Sequence, residues 1–194
     1  MARIALRPEA ERTPEEQAAC EEVVAGLRGR VPAPMHAWLR NPELARRGQR
    51  LGELLRYETS LAPRLSELAI LVTARHWSSH YEWMAHKRDG LKAGMDPEVV
   101  AAIAARRPPP LRDEEERAVF DVATSLFETR RVPEALYRRG VEVLGERGVV
   151  ELVALVGYYS MVALTLNAFE IGLPENVMPE LGREPGDPEP AAGG

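Results

Sequence analysis

A helix-start signal of three residues occurs three times in this sequence: a residue whose side chain can cap a helix, then proline, then glutamate. It is present as Thr13-Pro14-Glu15, Asn41-Pro42-Glu43 and Asp96-Pro97-Glu98. The side-chain oxygen of the first residue can accept a backbone N–H of the first turn, and proline is well tolerated at the first helical position. Because segments that alternate apolar and polar residues, as exposed strands do, are nearly absent, the sequence predicts an all-α fold.

The other helix boundaries follow from the positions of proline, glycine and aspartate. We predict helices over about 14–28, 42–57, 63–77, 79–93, 97–107, 113–130, 133–144 and 148–170. The short connections suit an antiparallel array of helices, and the length of 194 residues is that of one ordinary domain. We therefore predict a single helical domain over 1–182 and a flexible tail over 183–194, which is rich in proline, glycine and glutamate.

A faint internal repeat connects two of these helices. The segment ELAILV at 67–72 resembles ELVALV at 151–156. Two copies of a helical unit packed about a pseudo-twofold axis would produce such a match, and so would chance similarity between two apolar helices. The sequence leaves both explanations open.

Charge and cysteine content exclude several functional classes. The net charge of −5 gives no overall basic field, which argues against nucleic acid as a partner. The single cysteine, Cys20, excludes an intramolecular disulfide and any C-x-x-C redox or zinc motif. Residues 1–16 lack the apolar core of a signal peptide, and polar residues interrupt the apolar segment 152–169. We expect a cytoplasmic protein without a membrane partner.

One segment holds most of the chemically useful side chains. It reads ELAILVTARHWSSHYEWMAH, over 67–86, and contains three of the four histidines. Glu82 and His86 are four residues apart, so they share one face of a helix, where a carboxylate and an imidazole can relay protons near neutral pH. Glu67 lies on the preceding helix and can fold back against this face. Two alternatives stay open: Ser79-x-x-Glu82 is also a capping box, and a Glu/His pair at this spacing is commonly a surface ion pair.

The histidine spacing does not predict a metal site. His76 and His80 are four residues apart and His86 follows six residues later, so the segment contains no H-E-x-x-H or similar motif. We predict no metal and no cofactor.

The same segment resembles the alkylhydroperoxidase D-like (AhpD-like) proteins, in which a glutamate precedes a C-x-x-C-x-x-x-H motif by twelve residues. Here Glu67 is followed by Ser79 and Glu82 at the two cysteine positions, and then by His86. The carboxymuconolactone decarboxylases share that fold with the cysteines replaced, and YEWMAH at 81–86 and ELVALVGYY at 151–159 resemble that branch. The resemblance covers about residues 35–175 and implies an AhpD-like multi-helix bundle.

Membership of this branch implies an assembly and a type of reaction. It implies a homotrimer or homohexamer with a site in a helix crevice near a subunit interface. Thiol members reduce peroxides with their cysteine pair, a role that Ser79 and Glu82 cannot take. The decarboxylases release carbon dioxide from a carboxylated muconolactone in aromatic compound catabolism without a cofactor. Such a protein must hold an anion, stabilise an enolate and deliver a proton to carbon.

The resemblance also assigns roles. His86 is the proton donor or enolate stabiliser, and Glu82 and Glu67 orient and recharge it. Candidate substrate-binding residues are Ser79, Arg75, Tyr81 and His80. Arg75 is the candidate partner of a substrate carboxylate because it lies close to the motif in sequence, not because the resemblance assigns it. We predict a carboxy-lyase or isomerase that acts on a small carboxylated lactone or ring compound; the alternative is a non-catalytic ligand-binding or assembly protein on the same fold.

Overall fold

The computed structural model of the chain describes residues 2–182, and helices account for more than half of them. A 3-10 turn, Glu9–Glu11, precedes eight α-helices. These are α1 (Pro14–Ala25), α2 (Met35–Trp38), α3 (Pro42–Tyr57), α4 (Pro63–His76), α5 (His80–Lys92), α6 (Pro97–Ala104), α7 (Glu114–Thr129) and α8 (Glu134–Ala168). The predicted all-α fold is confirmed, since the described residues contain no β-strand. The predicted tail 183–194 lies outside the described residues.

The repeated start signal forms the caps that it predicts. The Thr13 hydroxyl accepts the backbone N–H of Glu16 at 3.2 Å, and the Glu16 carboxylate accepts the N–H of Thr13 at 3.1 Å, which completes a capping box. Asn41 and Asp96 cap α3 and α6 with their side chains. Each cap satisfies a backbone donor that a helix end leaves unpaired, so local sequence determines where these three helices begin.

The helices predicted over 133–144 and 148–170 are separated as predicted, because α8 is interrupted at Gly145, where φ is +74° and ψ is 163°, a non-helical conformation that glycine adopts at little cost. Two helix ends and one short helix differ from the prediction. α1 ends at Ala25 and α6 ends at Ala104, both earlier than predicted. The short α2 was not predicted, because no side chain caps it and the sequence therefore contains no start signal for it. Burial of Met35 and Trp38 stabilises it instead.

The core is organised around α4, which packs against α5, α6, α7 and α8. Every residue of α4 from 65 to 75 is buried, as expected for a helix that neighbours surround on all sides. This packing takes the polar residues Glu67 and Arg75 into the interior together with the apolar ones. α5 and α8 flank α4 and supply two walls of the site described below.

The two segments of the predicted repeat lie on helices that pack together, α4 and α8. The glutamates that open them have different surroundings. Glu67 is buried, whereas the Glu151 carboxylate accepts the backbone N–H and the hydroxyl of Ser60 at 2.7 and 2.6 Å. The repeat therefore does not place the same chemistry twice, and its origin from two equivalent units stays a prediction.

α8 is the only helix among residues 2–182 that is long and apolar enough to cross a membrane. Of its most apolar window, 56% is buried inside the protein. The core helix of a soluble protein passes the same test of length and composition, so this single helix gives only weak support for a membrane span.

The outward face of α8 carries a stripe of exposed apolar residues. Val150, Val153 and Leu164 are 68%, 41% and 48% exposed. Exposed Ala154 and Gly157 lie between them at helical spacing, so the five positions form one continuous surface. Monomeric proteins seldom expose a large contiguous apolar patch that has no interaction role, and we expect a second copy of the chain to cover this one.

This stripe leads to the first prediction, on self-association. Light scattering at micromolar concentration should give the molar mass of a homo-oligomer, a trimer or hexamer. Val153→Glu should lower this molar mass, because an unpaired carboxylate buried between two copies would destabilise the assembly. The control is Leu27→Glu, which places the same charge at an exposed apolar position outside α8. A monomeric wild-type protein would contradict the prediction.

Candidate active site

A crevice opens between α3, α5, α8 and the segment that joins α1 to α2. It encloses about 520 Å³, including its open mouth. The polar residues that line it are Arg28, Arg30, Gln49, Arg56, Tyr81, Glu82, His86, Asp89, Tyr158 and Tyr159. Apolar side chains, among them Val162 and Leu166, complete its wall.

His86 and Glu67 form a buried pair beside this crevice. Nδ1 of His86 lies 2.6 Å from Oε2 of Glu67, and each residue is 6% exposed. This hydrogen bond orients the imidazole and leaves Nε2 as the ring nitrogen for a ligand in the crevice. The ring of Tyr159 packs edge-on against the imidazole, with 4.8 Å between centroids, and so restricts its tilt.

Arg56 connects this pair to a second carboxylate. Its Nη2 donates to Oε1 of Glu67 at 3.3 Å and also to Oδ2 of Asp89. Burial opposes ionisation of Asp89, but hydrogen bonds from Arg88 and Arg56 lower the pKa of its carboxyl group. One guanidinium therefore compensates two carboxylates beside the imidazole.

Glu82 is a different kind of carboxyl group. It is 2% exposed, and neither of its oxygens has a hydrogen-bond partner among the described residues. Burial raises the pKa of Glu82 well above its ordinary value, so the site favours the protonated, neutral form. A protonated carboxyl group on the wall of a crevice can donate a hydrogen bond or a proton to a ligand.

Neither alternative for the motif applies. Ser79 occupies the N-cap position of α5 but makes no side-chain cap, and Glu82 does not accept its backbone N–H in return. Both side chains are turned into the protein and buried, so the capping box is not formed. The surface ion pair is also absent from the described residues, because His86 pairs with Glu67 across two helices and Glu82 carries no hydrogen bond.

Five buried polar atoms that have no hydrogen-bond partner among residues 2–182 belong to side chains that line this crevice. They are Oε1 of Gln49, both carboxyl oxygens of Glu82, the hydroxyl of Tyr159 and Nε of Arg28. Buried polar atoms in folded proteins almost always have a hydrogen-bond partner, so these atoms together indicate a site built to receive a polar ligand. Burial raises the pKa of both Tyr159 and Tyr158, that of Tyr158 to about 12, so both hydroxyl groups remain donors.

A close approach between α3 and α8 closes one side of the crevice. A Cβ at position 52 would clash with the hydroxyl of Tyr158 and would lie 2.6 Å from Nη2 of Arg28. Only glycine leaves room for both side chains, because it has no Cβ. Gly52 therefore determines how near Tyr158 comes to the backbone of α3.

The structure brings only part of the predicted substrate-binding set to the crevice. Tyr81 lines it, whereas Ser79, His80 and Arg75 do not. Arg75 instead donates to the backbone carbonyl of Ala104 at 2.9 Å and to the hydroxyl of Ser78 at 3.0 Å. Two helical turns of α4, roughly 12 Å, separate it from Glu67, and this distance corrects the prediction that Arg75 meets a substrate carboxylate.

Sequence reasoning missed several residues of the site. Arg28 and Gln49 precede the motif by many positions, and no spacing rule connects them to it. Tyr158 and Tyr159 did give a signal, since they interrupt an apolar helix with two hydroxyl groups. Within residues 2–182 no group of three or more His, Cys, Asp or Glu side chains is arranged to hold a metal ion.

Part of the chain is similar to a known protein family. Residues 42–125, which span α3 to most of α7, match the model of the carboxymuconolactone decarboxylase family. No curated protein matches the chain.

Solved structures share the fold. An uncharacterized peroxidase-related protein from Ralstonia eutropha, described as an alkylhydroperoxidase AhpD core, is 16% identical with a TM-score of 0.74, over 90% of this chain and 93% of that one. An uncharacterized peroxidase-related protein from a Silicibacter species is 19% identical with a TM-score of 0.72, over 90% and 92%. At these identities the likeness shows the fold alone.

Proposed function

Because residues 42–125 match the model of the carboxymuconolactone decarboxylase family, we propose that this protein is a member of that family and a cofactor-independent lyase or isomerase for a small carboxylated lactone or ring compound. The proposal assigns the chemistry to the crevice, and specifically to His86, Glu67 and Glu82.

The observation that carries the proposal is the contrast between two glutamates near one imidazole. Glu67 is held by Arg56 and by His86, an environment that suits a carboxylate. Glu82 has neither a charge partner nor a hydrogen bond in the part of the chain that the structure describes, and burial favours its neutral form. Carboxyl groups with such different environments are the usual basis for separate acid and base roles at one site.

The proposed reaction uses these groups in order. Arg28 and Arg30 at the mouth attract the anionic substrate. The carbon–carbon bond to the carboxylate breaks, carbon dioxide leaves, and the electron pair moves into the lactone carbonyl as an enolate. The protonated carboxyl of Glu82 donates a hydrogen bond to that oxygen. His86 delivers a proton to carbon, Glu67 stabilises the imidazole throughout, and solvent returns the proton to His86.

A non-catalytic ligand-binding protein on the same fold is the alternative function. A purely structural network would be expected to satisfy the hydrogen bonds of its buried members. Within residues 2–182 the oxygens of Glu82 and the hydroxyl of Tyr159 have no partner in a crevice open to solvent, which favours a site for a ligand over such a network. The contrast between Glu67 and Glu82 favours catalysis over binding alone.

Turnover on a panel of carboxymuconolactones and related lactones tests the proposal. We expect at least one member to lose carbon dioxide or to isomerise, after the protein has been dialysed against a chelator. Saturable binding of panel members without any chemical change would favour the ligand-binding alternative.

A further prediction concerns peroxides. The protein should have no intrinsic hydroperoxide reductase activity with a dithiol donor, because Ser79 and Glu82 stand where the resemblance requires two thiols. The remaining cysteine, Cys20, is 2% exposed, and burial raises the pKa of its thiol, which disfavours the reactive thiolate. Peroxide reduction that persists in Cys20→Ser would contradict this interpretation of the site.

A further inference from the structure

A second groove, which we name the arginine groove, adjoins the mouth of the crevice. Four guanidinium groups line it, those of Arg28, Arg30, Arg56 and Arg88, together with the carboxylate of Asp89. It encloses about 480 Å³, including its open side. Arg28, Arg30, Arg56 and Asp89 also line the crevice, so a molecule at the mouth can occupy both spaces at once.

Positive charge in this groove is only partly compensated. Arg56 is paired with Glu67 and Asp89, and Nε of Arg88 donates to Asp89 at 2.8 Å. Arg28 and Arg30 form no ion pair among residues 2–182. Arg28 and Arg30 therefore supply the lining of the groove with two guanidinium groups that no carboxylate among residues 2–182 balances.

A separate observation concerns hydrogen bonding. Nε of Arg28 is buried and has no hydrogen-bond partner in the described part of the chain, although an unpaired buried donor is costly. Deeper in the adjoining crevice, the unpartnered side chains of Gln49 and Glu82 are 4% and 2% exposed. The unsatisfied groups thus extend from the crevice to the arginine groove, as one elongated polar ligand would require.

We propose that the arginine groove binds a dianionic oxyanion, such as a phosphate monoester, on the part of the substrate that stays outside the crevice. Two guanidinium groups match the geometry and the double negative charge of a phosphate group. A single carboxylate would leave the positive charge of one guanidinium group uncompensated. The substrate class is then a small carboxylated ring compound with a second, doubly charged group. This inference rests on the proposed function only in one respect, that the reacting end of the substrate lies in the crevice.

The test is calorimetric titration of the whole protein with inorganic phosphate at constant ionic strength. We expect saturable binding that is stronger than that of acetate, and about a tenfold weaker affinity in Arg30→Gln, since a charged partner is lost. Arg28→Gln should weaken binding at least as much. The matched control is Arg138→Gln, which alters an exposed arginine that pairs with Glu134 on α8 and should leave phosphate binding unchanged.

Failure of this inference and failure of the proposed function give different results. His86→Ala should bind phosphate as the wild-type protein does, because His86 does not line the arginine groove. If the protein binds phosphate but is inactive on every panel member, the result supports the phosphate site in the arginine groove and contradicts the proposed lyase function. Absence of phosphate binding, equal binding of acetate, or equal weakening by Arg138→Gln would overturn the inference. Because Arg30 is exposed, Arg30→Gln should fold. It therefore tests phosphate binding even if Arg28→Gln does not fold.

Discussion

Replacing His86 with alanine is expected to lower kcat by about a hundredfold or more, the scale for loss of a general acid. Among residues 2–182 the variant removes the only imidazole that lines the crevice, and with it the proton that we assign to carbon. Folding should survive, because no large apolar group is lost and Arg56 still compensates the carboxylate of Glu67. The measurement is kcat on the substrate that the panel identifies, with helicity followed by circular dichroism.

His76→Ala is the matched control for this variant. His76 is exposed, stacks on Phe127 at 4.1 Å between ring centroids, and does not line the crevice. Its loss should leave kcat unchanged. Glu67→Gln should lower kcat while keeping the shape of the site, since the amide keeps the size of the carboxylate but lacks its charge. Full activity in His86→Ala would remove the proton relay from the proposal.

Glu82→Gln is expected to change how stability depends on pH. Above the ordinary pKa of a glutamate, the unfolded chain releases the proton of Glu82 while the folded protein retains it, because burial raises the folded pKa. The unfolded state then binds fewer protons, so the free energy of unfolding falls as pH rises, by up to about 1.4 kcal/mol for each pH unit, until pH passes the folded pKa. Glutamine does not titrate, so Glu82→Gln removes this decrease in the free energy of unfolding.

Unfolding in urea at a series of pH values between about 3 and 8 covers both sides of the ordinary glutamate pKa, so it measures this effect above that pKa and the effect of the control below it. The stability of Glu82→Gln relative to the wild-type protein should increase as pH rises above that pKa. Glu151→Gln is the control of opposite sign. Burial opposes ionisation of Glu151, but hydrogen bonds from Ser60 and Arg147 lower its pKa, so its contribution is present above the ordinary glutamate pKa and disappears as pH falls. A pH-independent difference for Glu82→Gln would show that this carboxyl group ionises normally in the folded protein.

The starts of α1, α3 and α6 could be predicted because each depends on atoms within one helical turn. Thr13, Asn41 and Asp96 accept backbone donors two or three residues ahead of them, and no distant contact is needed. The interruption of α8 at Gly145 falls between two predicted helices, whereas the short α2 could not be predicted in this way. The position of α2 depends on packing between helices, which a local pattern does not contain.

Some residues of the candidate site can likewise be predicted from the sequence, and others cannot. The contact between Glu67 and His86 was anticipated from a family spacing, which records the outcome of packing in other proteins. The crevice also needs Arg28 from an interhelical segment and Gln49 from α3, and nothing in the sequence near the motif indicates either. Arg75 shows the opposite error: closeness in sequence suggested a shared site, although successive turns of α4 face different neighbours.

The close approach at Gly52 limits how the substrate range of this protein can be redesigned. Tyr158 lines the crevice, and its hydroxyl lies against main-chain atoms of α3, which no choice of amino acid at position 52 can move back. Space for a bulkier ring has to come from the tyrosine: Tyr158→Phe frees the volume of one oxygen, and smaller residues at position 158 free more. A mutant library aimed at larger substrates should therefore vary position 158 and leave glycine at 52.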